Sequence, residues 1–133
     1  MRSTILARMP SPWIERGLVA VGAVLVCAGL FHGLALLWPG VSEPMAPATH
    51  AAFVAINLCF GVLFARRVSW LAWPFLALTL HQVWSHGGDL LRAHQEQPPR
   101  WDGQSLFTLG GLLVIWALLA ARAAARRAGA NRR

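Results

Sequence analysis

The chain has 133 residues, of which 56% are hydrophobic and only 13% are charged, and its mean hydropathy is +0.50. Soluble domains carry roughly 25% charged residues, so this composition excludes a soluble globular protein and indicates a single integral membrane domain, residues 1–133. The net charge of +7 results from twelve arginines, no lysine and five acidic residues. These arginines are not interleaved with base-stacking aromatic residues on a soluble surface, which argues against nucleic-acid binding.

Four apolar stretches approach the roughly 20 residues that an α-helix needs to cross a bilayer. In chain order they are Ile14–Trp38, Ala48–Ala65, Val68–Gly88 and Gln104–Ala121. The first is too long for the apolar region of a signal peptide, and Pro47 argues against cleavage beside it, so we interpret it as a spanning helix. The sequence therefore predicts an all-α fold with four spans at 14–38, 48–65, 68–88 and 104–121.

The connections between these stretches are short. Prolines interrupt the chain between residues 39 and 47, Arg66 and Arg67 make a tight turn, and residues 94–103 form the longest loop. Short connections favour antiparallel neighbours. We therefore expect an up-down-up-down four-helix bundle in the membrane.

The distribution of arginine predicts the orientation. Ten of the twelve lie at one side of the four spans, and only Arg92 and Arg100 lie at the other. The first group is Arg2, Arg8, Arg16, Arg66, Arg67, Arg122, Arg126, Arg127, Arg132 and Arg133. The positive-inside rule then places both termini, including the Arg-rich tail 122–133, in the cytoplasm against anionic lipid. Because alanine and arginine are abundant and lysine is absent, we expect a GC-rich bacterial source and an inner-membrane location.

Glycine spacing suggests how the first helix packs. Gly22, Gly29 and Gly33 form one stripe, and helices in lipid associate where small residues let their backbones approach. In the third helix, Pro74 predicts a kink, and the pair Gly87 and Gly88 predicts the end of regular helix.

Polar side chains gather at the non-cytoplasmic ends of the spans. His32, His50, His81 and His86 lie there together with Asp89, whereas His94 falls in the loop. Ionisable groups at membrane depth are costly and usually face a bundle interior. We expect a further polar interior set to supply interhelical hydrogen bonds, namely Asn57, Gln82, Ser85, Gln104 and Thr108.

One hypothesis for these histidines is redox or metal chemistry. His32 and His81 lie about 9–10 Å below the outer ends of their helices, so they are the best-matched pair to ligate haem b or a transition metal. His50, His86 and Asp89 offer a weaker metal site, or a place to pass protons or bind a quinone head group. The lipid bilayer, a quinone and another membrane subunit are the partners this hypothesis implies.

The alternative hypothesis is a non-catalytic accessory or scaffold subunit whose intramembrane histidines are structural. In that case Asp89 pairs with Arg92 one helical turn further along. The sequence has no nucleophile elbow, Walker loop, zinc-protease motif or dinucleotide fingerprint, so it assigns no catalytic residue and leaves enzyme status open. Cys27 and Cys59 lie in apolar surroundings where thiols are inert.

Overall fold

The computed structural model describes residues 11–41 and 46–131, and its regular structure is entirely helical, which confirms the all-α prediction. The elements are α1 (Pro12–Leu37), a short 3₁₀ turn (Pro39–Val41), α2 (Pro47–Ala65), α3 (Ala72–Gln95) and α4 (Gly103–Ala130). Four of the arginines that predict the orientation lie outside the described residues, namely Arg2, Arg8, Arg132 and Arg133.

Three of the helices are long and apolar enough to cross a membrane. The most apolar 18-residue windows of α1, α2 and α4 have mean hydropathies of 2.2, 1.8 and 1.9. The chain therefore has the make-up of a multi-pass membrane protein. Within the described residues α3 does not join this group, because His81, Gln82, His86 and Asp89 lower its hydropathy.

Contacts divide the chain into two compact units, each built on one helical hairpin. The first hairpin, α1 with α2, occupies Pro12–Leu71, and the second hairpin, α3 with α4, begins at Ala72. Within each hairpin the two helices run antiparallel, as the short connections predict. The assembly of four helices into one bundle and one domain stays a prediction.

The predicted glycine stripe lies at the contact between α1 and α2. A Cβ atom added to Gly22 would lie 2.7 Å from the carbonyl oxygen of Gly61, and one added to Gly61 would lie 2.7 Å from Cγ2 of Val26. Further along, a Cβ on Gly29 would lie 3.1 Å from Cγ of Leu58. The two backbones thus approach closely enough that only glycine fits without displacement.

The turn after α2 depends on a residue in the left-handed region. Arg67 has φ of 55°, and its backbone N–H donates to the carbonyl of Phe64 at 3.0 Å. The N–H of Val68 donates to the carbonyl of Leu63 at 3.3 Å, which completes a Schellman motif. The Arg67 guanidinium also lies 3.7 Å from the Glu15 carboxylate at the start of α1, so an ion pair joins the hairpin at this end.

Two local predictions for the third helix are wrong. Pro74 does not sit in a helix interior, because α3 begins at Ala72 and a proline in the first turn displaces no intrahelical hydrogen bond. Gly87 and Gly88 do not end the helix either, since α3 continues to Gln95. α4 also continues beyond its apolar stretch to Ala130, so most of the Arg-rich tail is helical.

Candidate functional site

The first polar contact joins the two helices of the first hairpin at its loop end. His32, five residues before the end of α1, and His50, in the first turn of α2, approach with their Nδ1 atoms 3.1 Å apart. One of these nitrogens must carry the proton and donate, and the other must accept, so the neutral pair shares a single proton at this contact. His50 is only 5% exposed, so this hydrogen bond lies in the interior of the hairpin.

Aromatic rings hold His32 in place. Its imidazole stacks on Phe53 of α2, with ring centroids 5.0 Å apart and an interplanar angle of 20°. Phe31 approaches the same imidazole edge-on at 6.0 Å. The ring of His32 therefore has contacts that fix its orientation toward His50.

The second polar contact joins α3 to α4, again near a loop. His86 Nδ1 lies 3.0 Å from Oγ of Ser105, and the Ser105 hydroxyl donates to Oδ2 of Asp102 at 2.6 Å. The Ser105 proton is thus directed at Asp102, and the hydroxyl oxygen accepts from Nδ1–H of His86. Ser105 is fully buried.

This arrangement differs from the one that activates a nucleophilic serine. In such a site the histidine accepts the serine proton and a carboxylate holds the other ring nitrogen. Here the carboxylate takes the serine proton, and the second nearby acid, Asp89, lies 3.9 Å from the same Nδ1 of His86. The contact therefore connects two helices and does not activate Ser105 as a nucleophile.

Asp102 is also the N-cap residue of α4. Its carboxylate accepts from the backbone N–H groups of Gln104 at 3.1 Å and Ser105 at 3.2 Å, which satisfies donors that have no partner inside the helix. Hydrogen bonds from the Ser105 hydroxyl and backbone hold the pKa of Asp102 below its ordinary value. The carboxylate therefore stays ionised and acts as an acceptor at neutral pH.

Carboxylates and arginines in the last turns of α3 and in the loop that follows it form local ion pairs. Asp89 pairs with Arg92, which confirms that expectation. Glu96 accepts from Nη2 of Arg100 at 2.8 Å, and this hydrogen bond lowers the pKa of Glu96. His94 lies in the last turn of α3 and not in the loop, and its ring lies 5.7 Å from that of Trp101.

Farther from the loop of the second hairpin, Trp116 of α4 contacts α3. Its Nε1 donates to Oγ1 of Thr79 at 3.0 Å, and the Thr79 hydroxyl donates to the carbonyl of Phe75 at 2.8 Å. The rings of Trp116 and Phe75 lie 5.8 Å apart. Trp116 lies near the middle of α4, and a hydroxyl of the neighbouring helix satisfies its indole N–H.

Two residues expected in the interior are exposed. On α3 the face toward α4 contains Phe75, Thr79 and His86, and His81 lies about 140° around the helix from His86, so His81 is exposed. On α4 the interior position belongs to Ser105, and its neighbour Gln104 is exposed. The pattern of Asp102 followed three residues later by a serine could have identified this cap from the sequence.

The other members of the polar set are partly buried. Asn57, Gln82, Ser85 and Thr108 are all half-buried. Asn57 lies against α1, since a Cβ added to Gly29 would be 3.3 Å from its Cβ. Its predicted place between two helices is therefore consistent with the packing of the first hairpin.

The structure groups the histidines by hairpin. In the first hairpin His32 lies close to His50. In the second hairpin His86 lies close to Asp89, and His81 lies on the same helix, α3, but is exposed. Among residues 11–41 and 46–131, no three His, Cys, Asp or Glu side chains converge to hold a metal ion. The metal site of His50, His86 and Asp89 stays a prediction, as does joint ligation by His32 and His81. Both cysteines are thiols and not a disulfide.

Comparison with known proteins identifies no relative. No protein-family model, curated protein or solved structure matches the chain significantly.

Proposed function

We propose that the protein crosses a bacterial inner membrane four times and places both termini in the cytoplasm. Support for the fourth crossing comes from the way α3 accompanies α4. Their contacts run from Phe75 with Trp116 to His86 with Ser105, which is eleven residues along each helix, or about 16 Å at 1.5 Å per residue. An antiparallel neighbour that follows a spanning helix over half of a roughly 30 Å core enters the membrane with it.

The charge distribution agrees with four crossings. If α3 crosses, the ten-to-two division of arginine places the excess on the cytoplasmic side. If α3 stayed at the surface, α4 would carry Arg122, Arg126 and Arg127 to the opposite side from Arg66 and Arg67. Such a topology would oppose the positive-inside rule.

Reporter fusions test this topology. We expect a cytoplasmic reporter to be active at both termini and a periplasmic reporter to be active when inserted in the loop between Glu96 and Asp102. Replacing Arg66 and Arg67 with Gln should weaken the orientation, whereas replacing Arg92 and Arg100 should not. If the C-terminal reporter lay on the side opposite to the N-terminal one, the topology with four crossings would be excluded.

Within this membrane we propose a non-catalytic accessory or scaffold role, with another membrane subunit as partner. The observation that carries it is that one histidine pair and one histidine–serine pair each connect the two helices of a hairpin near its loop: His32 with His50, and His86 with Ser105. Hydrogen bonds between membrane helices contribute about 0.6–2 kcal/mol each. The histidines then serve the packing of the hairpins.

The test is the absorption spectrum and metal content of the wild-type protein, purified in mild detergent after expression with ample haem and metals. We expect no Soret band and no stoichiometric metal. The His32→Asn and His81→Asn variants should have the same spectrum as wild type, and His94→Asn serves as a control outside the polar contacts between helices. A stoichiometric haem that both His32→Asn and His81→Asn abolish would establish the redox hypothesis instead.

A further inference from the structure

α4 is longer than a membrane crossing requires. It contains 28 residues, which gives about 42 Å at 1.5 Å per residue. The apolar part, residues 104–121, accounts for about 27 Å and nearly fills the hydrocarbon core of roughly 30 Å. The remaining helical residues, 122–130, therefore project into and beyond the headgroup layer.

The projecting part of α4 is strongly basic. It carries Arg122, Arg126 and Arg127, and the sequence contains no Asp or Glu from residue 103 to residue 133. Arg126 and Arg127 are exposed, whereas Arg122 is only 6% exposed. Alanine fills the positions between Arg122 and Arg126, which favours helix and supplies only small side chains around the arginines.

The described carboxylates are already engaged elsewhere. Glu15 pairs with Arg67, Asp89 with Arg92, Glu96 with Arg100, and Asp102 caps α4. Within residues 11–41 and 46–131, no carboxylate forms an ion pair with Arg126 or Arg127. Arg126 and Arg127 are therefore accessible to an anion from outside the described chain.

The depth of these arginines fits one anion in particular. Residues 122–127 cover about 7–8 Å along the helix axis, which matches a headgroup layer of roughly 5–8 Å on each side of the core. Guanidinium groups bind phosphate oxygens in a bidentate manner. Because the helix continues directly from the membrane, lipid phosphates meet the arginines without a separate encounter.

We propose that Arg126 and Arg127 bind the phosphate groups of anionic phospholipids at the end of α4. That these lipids belong to the cytoplasmic leaflet rests on the proposed topology. Mixed micelles have no sides, so a binding experiment in detergent can fail or succeed independently of that topology.

The experiment is a titration of the full-length protein in detergent with phosphatidylglycerol or phosphatidylcholine, with bound lipids counted by native mass spectrometry. We expect the wild type to prefer phosphatidylglycerol. At about 1 kcal/mol for each basic residue near an anionic surface, Arg126→Gln with Arg127→Gln should weaken that binding about 30-fold. Arg126→Lys with Arg127→Lys should retain most of the affinity, and added salt should reduce it.

The matched control is Arg92→Gln with Arg100→Gln. It removes the same charge at the end of α3 and in the loop between α3 and α4, and it should leave lipid binding unchanged. Equal affinity for the two lipids, or equal losses in the two double variants, would overturn the proposal. It would also be overturned if a short RNA bound the wild type more tightly than phosphatidylglycerol and depended on the same two arginines.

Discussion

Gly22→Ala is expected to lower the free energy of unfolding of the protein in detergent by about 1–3 kcal/mol, the usual cost of overpacking. The new methyl group would lie 2.7 Å from the carbonyl oxygen of Gly61 and 3.0 Å from the backbone nitrogen of Ala65. Backbone atoms cannot rotate away as a side chain can, so α1 and α2 must separate. Titration with a denaturing detergent, followed by helical circular dichroism, measures the loss.

Gly33→Ala is the matched control on the same stripe. Its Cβ would meet only Cγ2 of Val54, at an ordinary 3.8 Å. We expect no loss, and a small gain is consistent with the better helix propensity of alanine. If Gly22→Ala and Gly33→Ala had the same stability, the close approach of the two backbones at Gly22 would be refuted.

Trp116→Ala is expected to destabilise the second hairpin by about 3 kcal/mol, at the lower end of the range for removing a buried tryptophan because Trp116 is half-buried. The substitution removes the ring contact with Phe75 and the hydrogen bond to Thr79. The same detergent titration, followed by the fluorescence of the remaining tryptophans, reports the change.

Trp116→Phe separates these two contributions. It keeps an aromatic ring against Phe75 but loses the indole donor, so we expect a loss of only about 1 kcal/mol. Thr79→Val removes the acceptor and should cost a similar amount. Equal losses for Trp116→Ala and Trp116→Phe would show that the ring packing contributes nothing, contrary to the geometry.

Helices and their close contacts could largely be predicted from the sequence. Apolar length located α1, α2 and α4, because a helix that crosses a bilayer leaves a continuous apolar stretch. The spacing of Gly22 and Gly29 identified the face of α1 that packs, since small residues mark close backbone approach. The pairing of Asp89 with Arg92 followed from their separation of three residues along one helix.

Partners across helices could not be predicted in the same way. Depth matched His32 to His81, yet the structure gives His32 the partner His50, which is closer along the chain and lies on the other helix of its hairpin. The sequence pattern of α3 defines its polar residues but not its rotation against α4. That rotation depends on Phe75 and Trp116, and it directs His86 and not His81 toward Ser105.

The contact between His32 and His50 tests the central claim most directly, because a structural role requires that their nitrogens share a proton. In protein with ¹⁵N-labelled histidine, NMR detects a scalar coupling between two nitrogens joined by an N–H···N hydrogen bond. We predict such a coupling between Nδ1 of His32 and Nδ1 of His50, lost in His50→Asn and unchanged in His94→Asn. Absence of the coupling in the wild type, with ring-nitrogen shifts typical of metal ligands, would contradict the account.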